Sequence, residues 1–244
     1  MPDTDPRNGT LYLVPTTLGK TPENNTIPEY VLEIIRRLDV MVVENPKTAV
    51  RYLQWVGDTI PDYEIDFLVL DKNTTEQEKT SFLRPLENGR DVGLISEAGC
   101  PVVADPGSDL VRMAHNRNIT VSPLVGPSSI VLALIGSGFS GQQFAFHGYL
   151  PRDTAPRQKA IRQLERESAL KNQTQIFMEA PHRNDELIED VLRTCNSSTG
   201  FCIAANLTLP DEKITTATIA EWQNRDRHSW QKQPVIFLIS AGNS

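Results

Sequence analysis

Short apolar runs alternate with amphipathic segments along the first half of the chain. Apolar residues recur at helical spacing between runs that are typical of buried strands. The predicted strands cover residues 11–14, 40–43, 67–70, 92–96 and 120–125, and the predicted helices cover 27–38, 48–56, 75–86 and 110–115. Strands that alternate with helices form parallel α/β sheets, so this half predicts one such sheet.

The pattern changes after Gly126 and Pro127. Residues 128–134 predict a short apolar helix, and helical spacing returns later at 157–168 and 184–194. The strand-like segments of this part are 144–148, 175–179, 201–205 and 234–240. We therefore predict two α/β domains, covering residues 1–121 and 122–244.

Composition narrows the function classes. The 244 residues carry a net charge of −7, and all of the acidic excess lies in residues 1–150, with 19 acidic and 12 basic side chains. This balance argues against a large non-specific nucleic-acid surface, although it allows a local basic patch. No apolar run is long enough to cross a bilayer, and the polar, acidic first residues do not resemble a signal peptide. The three cysteines lack metal spacing and indicate reduced thiols, so we expect a cytoplasmic protein without a bound metal.

Residues 96–107, Ser-Glu-Ala-Gly-Cys-Pro-Val-Val-Ala-Asp-Pro-Gly, directly follow the predicted strand 92–96. Glycine and proline prevent both helix and strand here, so the chain must turn sharply. Loops at the carboxyl ends of parallel strands are where open α/β sheets bind ligands. We expect this loop to present backbone groups to a small molecule, with Asp105 and Ser108 as candidate caps of the next helix.

Four parts of the chain, taken in order, resemble the tetrapyrrole methylase superfamily. Within it they are most similar to the ribosomal RNA small-subunit ribose 2′-O-methyltransferases, which act on a cytidine. The matching segments are 11–19, 96–107, 123–129, and 144–151 followed by Met178-Glu-Ala-Pro-His-Arg183. The resemblance implies a mostly parallel sheet in the first domain and a mixed sheet in the second. It also implies S-adenosylmethionine in the cleft between the domains, and a homodimer.

The resemblance further implies where the methyl donor binds. The residues concerned lie on the 96–107 loop and on the turn after residue 127, and they are Glu97, Ala98, Gly99, Cys100, Pro101, Ser128 and Ser129. Either serine could instead only cap the helix that it begins. Three segments depart from the family: Glu44-Asn-Pro-Lys47 replaces Glu-Asp-Thr-Arg, residues 205–209 lack a charged pair, and Glu97 and Cys100 replace Asp and Thr.

Methyl transfer from a sulfonium mainly needs alignment, but a ribose hydroxyl also has to lose its proton. The candidate bases are Glu44, Glu179 and His182, and each could equally be a structural residue. Basic residues are densest at 151–171, which holds six of them against three acids. Four basic residues are the candidate phosphate contacts, namely Arg152, Arg157, Lys159 and Arg183. The alternative for this run is a solvated helix face with ion pairs.

Three functions remain open at this point. The first is methylation of RNA, with ribosomal RNA or the small ribosomal subunit as partner. The second is methylation of a tetrapyrrole or another small molecule. The third is a non-catalytic module that binds S-adenosylmethionine or the ribosome. The three tryptophans are interpreted as packing residues.

Overall fold

The computed structural model describes residues 8–21, 24–57, 60–225 and 229–242. The chain forms two compact units, Met1–Pro127 and Ser128–Ser244. The predicted boundary between residues 121 and 122 falls six residues earlier, inside a strand at Thr120–Pro123 that pairs with the first strand of the chain. Because that pairing places residues 120–123 in the first sheet, the first unit extends to Pro127.

The first unit is built on five parallel strands. They are β1 (Thr10–Val14), β2 (Val40–Val43), β3 (Asp66–Val69), β4 (Val92–Ile95) and β5 (Thr120–Pro123), in the order β3-β2-β4-β1-β5. The helices are α1 (Glu29–Arg36), α2 (Pro46–Val56), α3 (Glu76–Ser81), α4 (Arg84–Glu87) and α5 (Ser108–Asn116). The predicted parallel α/β sheet is confirmed.

Helices cover both faces of this sheet. Every residue of β2 is buried, with Met41 and Val43 in one apolar cluster and Val40 and Val42 in the other. Successive side chains of a strand point to opposite faces, so a strand between two helix layers has to be apolar throughout. This is why the run at 40–43 shows no alternation.

The predicted helix 75–86 is wrong, because two short helices occupy this segment. α3 begins with the expected capping box, in which Thr75 accepts from the Glu78 amide and Glu78 accepts from the Thr75 amide. The helix stops near Phe82, and α4 begins with proline in its first turn. Pro85 has no amide hydrogen to donate four residues back, so an unbroken helix would lack one hydrogen bond.

The second unit holds a mixed sheet of five strands, in agreement with the expected fold. They are β6 (Phe144–Tyr149), β7 (Thr174–Met178), β8 (Gly200–Ala205), β9 (Lys213–Thr218) and β10 (Val235–Ser240), in the order β6-β7-β10-β8-β9. Only the β6–β7 pair among these is parallel. The helices are α6 (Ser129–Ser137), α7 (Thr154–Lys171), α8 (Asn184–Thr194) and α9 (Ile219–Gln223).

Candidate functional site

Three loops surround a cavity at the carboxyl edge of the first sheet. They follow β1, β2 and β4, which are neighbours in the order β2-β4-β1. The cavity has a volume of about 440 Å³ and is lined by residues 16–21, 43–45 and 95–98 together with the side of α2, among them Thr48, Arg51, Tyr52 and Trp55. This volume lies within the range of about 300–1,000 Å³ that is usual for small-molecule sites. Its position is the one expected for a ligand site in an open α/β sheet.

Tyr52 and Trp55 form an aromatic wall of this cavity. Their rings stack with centroids 5.8 Å apart, since residues three apart on a helix are neighbours. The Tyr52 hydroxyl donates to the Pro15 carbonyl at 2.8 Å, and the Trp55 indole donates to the Thr21 carbonyl at 2.9 Å. Burial raises the pKa of the Tyr52 phenol, so it stays a donor at neutral pH. Both rings are therefore fixed and can pack against a flat ligand.

The polar groups of the cavity come from the ends of the strands. Thr16 is 4% exposed, and its Oγ1 has no hydrogen-bond partner among the described residues. Glu44 and Glu97 are exposed carboxylates, and Lys20 and Arg51 supply positive charge to the same lining. A buried hydroxyl without a partner costs stability, so Thr16 is a candidate contact for a bound polar group.

The 96–107 loop is held rigidly, as its glycine and proline content predicts. The Gly99 carbonyl accepts from the Thr16 amide at 2.9 Å and from Ser96 Oγ at 2.8 Å. The Cys100 thiol donates to the Pro127 carbonyl at 3.4 Å. Gly99 has a φ of +74°, and a Cβ there would lie 2.9 Å from Leu18. The loop therefore needs glycine at this position.

The predicted donor residues of this loop do not all face the cavity. Glu97 and Ala98 line it. Gly99 and Pro101 are buried and Cys100 is half-buried, so these three contribute to the loop's packing. Their binding to a methyl donor stays a prediction.

Neither predicted cap of α5 is present, so this expectation was wrong. The helix begins after Gly107, and no side chain among the described residues accepts a hydrogen bond from the backbone amides of its first turn. The Asp105 carboxyl is half-buried instead. Desolvation, and then the negative charges of Glu44 and Glu97, raise its pKa to about 6.

Ser128 caps α6, since its Oγ accepts from the Val131 amide at 3.4 Å. The capping role that the sequence left open is therefore present. A role of Ser128 and Ser129 in binding a methyl donor stays a prediction.

In the second unit, one of the two carboxylate oxygens of Glu179 has several hydrogen-bond partners. Its Oε1 accepts from the Ala180 amide at 2.7 Å and forms an ion pair with Arg183, while Oε2 has no partner among the described residues. The Arg183 guanidinium is thereby directed at Glu179. His182 is exposed on the 3₁₀ turn that both residues support. Glu179 and Arg183 brace this turn. Glu179 and His182 as bases, and Arg183 as a phosphate contact, stay predictions.

Arg157 is not on the surface, which corrects its assignment as a phosphate contact. It is 2% exposed, and its guanidinium bonds Asp190 of α8 at 2.6 and 2.7 Å and the Arg152 carbonyl at 2.8 Å. The exposed basic side chains of this run are Arg152, Lys159, Arg162, Arg166 and Lys171. Lys171 forms the kind of ion pair expected of a solvated helix face, with Glu167 at 3.0 Å.

Two further features concern the described part of the chain. None of its helices combines the length and the apolar character that a membrane span requires. Within the same residues, no three His, Cys, Asp or Glu side chains form a group suited to a metal ion.

The comparison with known proteins identifies the family. The family model Tetrapyrrole (Corrin/Porphyrin) Methylases matches residues 10–223. The chain belongs to this family. The predicted resemblance and fold are confirmed, and membership of the tetrapyrrole methylases indicates methylation that depends on S-adenosylmethionine.

Curated relatives cover almost the whole chain. A Micromonospora olivasterospora protein named ribosomal RNA small subunit methyltransferase I is 36% identical over 97% of this chain and 71% of its own length. The protein of that name from Escherichia coli O157:H7 is 29% identical over 96% of this chain and 79% of its own length.

Solved structures show the same fold at low identity. The methyltransferase CobJ has a TM-score of 0.60 at 16% identity, with 96% of this chain and 94% of that chain covered. A Thermus thermophilus uroporphyrin-III C-methyltransferase in complex with S-adenosyl homocysteine has a TM-score of 0.57 at 15% identity, with 95% and 97% covered.

Sequence patterns did not single out Thr16, Tyr52 or Trp55 for the site. Trp55 was interpreted as a packing residue, and its indole does pack and hydrogen-bond within the unit. The sequence signal that could have found these residues is that Thr16 and α2 come directly after predicted strands. That signal gives the edge of the sheet but not the direction of each side chain.

Proposed function

We propose that this protein transfers a methyl group from S-adenosylmethionine to a ribose hydroxyl of RNA, with small-subunit ribosomal RNA as the substrate. The cavity at the carboxyl edge of the first sheet is the observation that carries the proposal. It combines an aromatic wall, an unpartnered hydroxyl and a carboxylate within about 440 Å³. The names of the curated relatives support the same acceptor.

S-adenosylmethionine, when bound, supplies a methyl group that its positively charged sulfur already activates. The loop at 96–101 has the features needed beside such a donor, because hydrogen bonds fix its backbone and its small residues allow a close approach. The protein's main contribution is then to hold the acceptor in line. Tyr52 and Trp55 pack against the nucleobase, and Thr16 and Glu44 face the ribose.

Charge favours RNA over a tetrapyrrole as the acceptor. Glu44 and Glu97 lie exposed on the cavity beside Lys20 and Arg51, so the lining has no excess of positive charge that would select the several carboxylates of a tetrapyrrole precursor. Lys159, Arg162 and Arg166 recur on one exposed face of α7, at the spacing of successive helical turns. Such a stripe suits a phosphate backbone.

Calorimetry with S-adenosylmethionine tests the donor, and transfer of a labelled methyl group tests the acceptor. We expect labelling of small ribosomal subunits or their RNA, and none of a uroporphyrin. Trp55→Ala should lower kcat/KM for RNA about tenfold or more without changing the Kd of the donor. Tyr63→Ala is the matched control, because Tyr63 is 82% exposed and lies outside the cavity.

Other outcomes would contradict the proposal in distinct ways. Labelling of a tetrapyrrole alone would favour the small-molecule function. Donor binding without transfer to any acceptor would favour a non-catalytic binding module. A homodimer in the cytoplasm completes the proposal on the strength of the family resemblance, and light scattering of the purified protein tests the dimer.

A further inference from the structure

Asp105 lies beside the cavity and has no structural partner. It follows β4 by ten residues and was expected to cap α5, yet that helix has no side-chain cap. No hydrogen bond or ion pair joins its half-buried carboxyl to another described residue. Other carboxylates of this unit are held in the charged form by partners, as Asp109 is by Lys79 and Arg112. Asp105 therefore differs from a carboxylate that serves the fold.

Asp105 and a residue of the proposed acceptor site line the same small space. Asp105 and Glu44 line a second cavity of about 10 Å³, which is close to the room that one water molecule needs. Glu44 and Ser96 also line the large cavity. The Glu44 side chain thus faces both spaces, and Asp105 lies behind it.

The charged groups that act on Asp105 are negative, while Lys20 and Arg51 share the large cavity with Glu44. Glu44 faces Asp105 from the end of β2, and Glu97 faces it from the loop after β4. Among the described residues, no lysine, arginine or histidine forms an ion pair with Asp105. Its charged neighbours are these two carboxylates. Burial and like charge both favour the protonated form, which explains a pKa of about 6.

An independent observation places a polar ligand group next to these carboxylates. Thr16 is more than nine-tenths buried, lines the large cavity with Glu44, and leaves its Oγ1 without a partner in the described structure. A bound hydroxyl would satisfy this group. The acceptor hydroxyl can therefore be held between Thr16 and Glu44.

We propose that Glu44 and Asp105 act as one proton-accepting pair for the acceptor hydroxyl, with Glu44 touching the hydroxyl and Asp105 positioned behind it to hold the proton. This role rests on the proposed function. As the acceptor oxygen bonds to the methyl carbon, the carbon–sulfur bond breaks and its electron pair stays on sulfur. The hydroxyl proton passes to Glu44, is shared with Asp105, and leaves to water. The negative charge of Glu44 contributes to the raised pKa of Asp105, so Asp105 is the carboxylate suited to hold the proton.

The pH dependence of methyl transfer tests the pair. Glu44→Gln should lower kcat about 100-fold, since it removes the group that touches the hydroxyl. Asp105→Asn should lower kcat less and move the acidic limb of the pH–rate profile from about pH 6 toward the ordinary carboxyl range, with the KM for RNA unchanged. Asp109→Asn is the matched control, because Asp109 lies on α5 outside both cavities. An acidic limb that stays in place in Asp105→Asn overturns the proposal.

Direct titration of the carboxyl groups tests the pair independently of whether the protein methylates RNA. Carbon-13 NMR of the side-chain carboxyls in the full chain should show Asp105 titrating near pH 6, and its midpoint should fall in Glu44→Gln, because the charge of Glu44 raises the pKa of Asp105. An ordinary Asp105 midpoint, or one that stays in place in Glu44→Gln, would overturn the pair whether or not RNA is methylated. If Asp105 titrates as expected but RNA is never labelled, the acceptor is wrong and the pair stands.

Discussion

Replacing Arg157 by methionine should strongly destabilise the second unit. The arginine bonds Asp190 through two nitrogens at 2.6 and 2.7 Å, and the two side chains are 2% and 5% exposed. Methionine keeps much of the apolar stem but removes the charge. Asp190 would then retain one hydrogen bond from a side chain, donated by Gln158 at 2.7 Å. A carboxylate would remain buried without its counter-charge.

The expected cost follows from that burial. Removing one partner of a buried ion pair costs about 3–5 kcal/mol, because the remaining charge is desolvated and uncompensated. A whole domain is stable by about 5–15 kcal/mol, so this one substitution should consume a large part of the unit's stability. The double substitution Arg157→Met with Asp190→Leu should recover most of the loss, since no charge is then left inside.

Urea unfolding followed by tryptophan fluorescence measures these values. Trp222 and Trp230 lie in the second unit, so a Trp55→Phe background makes the signal specific to it. Lys159→Met on the same helix is the control, and as an exposed residue it should change stability by less than about 0.5 kcal/mol. A loss for Arg157→Met no larger than that of the control would refute the reasoning. A double variant as unstable as the single one would show that the unpaired carboxylate is not the cause.

Three further predictions concern backbone packing, thiol burial and the Asp105 carboxyl. Gly126→Ala should lower stability by about 2 kcal/mol in thermal unfolding, because the added Cβ would lie 2.2 Å from Cβ of Pro15. Gly141→Ala should not, because a Cβ there would only reach ordinary contact with Leu134 at 3.9 Å. Iodoacetamide at pH 8 should modify Cys100 before the other cysteines, as followed by mass spectrometry, because Cys195 and Cys202 are buried and burial raises the pKa of their thiols. Equal rates of modification at all three cysteines would contradict this burial. Asp105→Asn should be more stable than the parent at pH 8 by about 1 kcal/mol after solvent screening. The folded pKa of this carboxyl is raised from 3.8 to about 6, so the parent has its full stability below pH 4 and loses part of it as pH rises through 6. An equal stability difference between variant and parent at pH 4 would argue against this cause.

The functional site was only partly predictable from sequence. The glycine- and proline-rich loop after β4 located the sheet edge, and its lining residues Glu97 and Ala98 face the cavity. The stacking of Tyr52 on Trp55 depends on how α2 lies against the loop after β1, and no local pattern encodes that packing. Asp105 looked like a helix cap because caps are short-range features. Its proximity to Glu44 depends on two strands that are adjacent in space but separated in sequence.

The sequence by itself determined the class of fold, the family and most helices and strands, because the periods of apolar residues, the Thr75 capping box and the turn residues act over a few positions. The tertiary structure decided which charged groups are available for chemistry. Arg157 looked like a surface cation until α8 brought Asp190 to it. Asp105 acquired its raised pKa from burial, and then from Glu44 after β2 and from Glu97 in its own loop. Burial and pairing are properties of contacts between distant segments, and electrostatic energies inside a protein depend on those contacts more than on residue type.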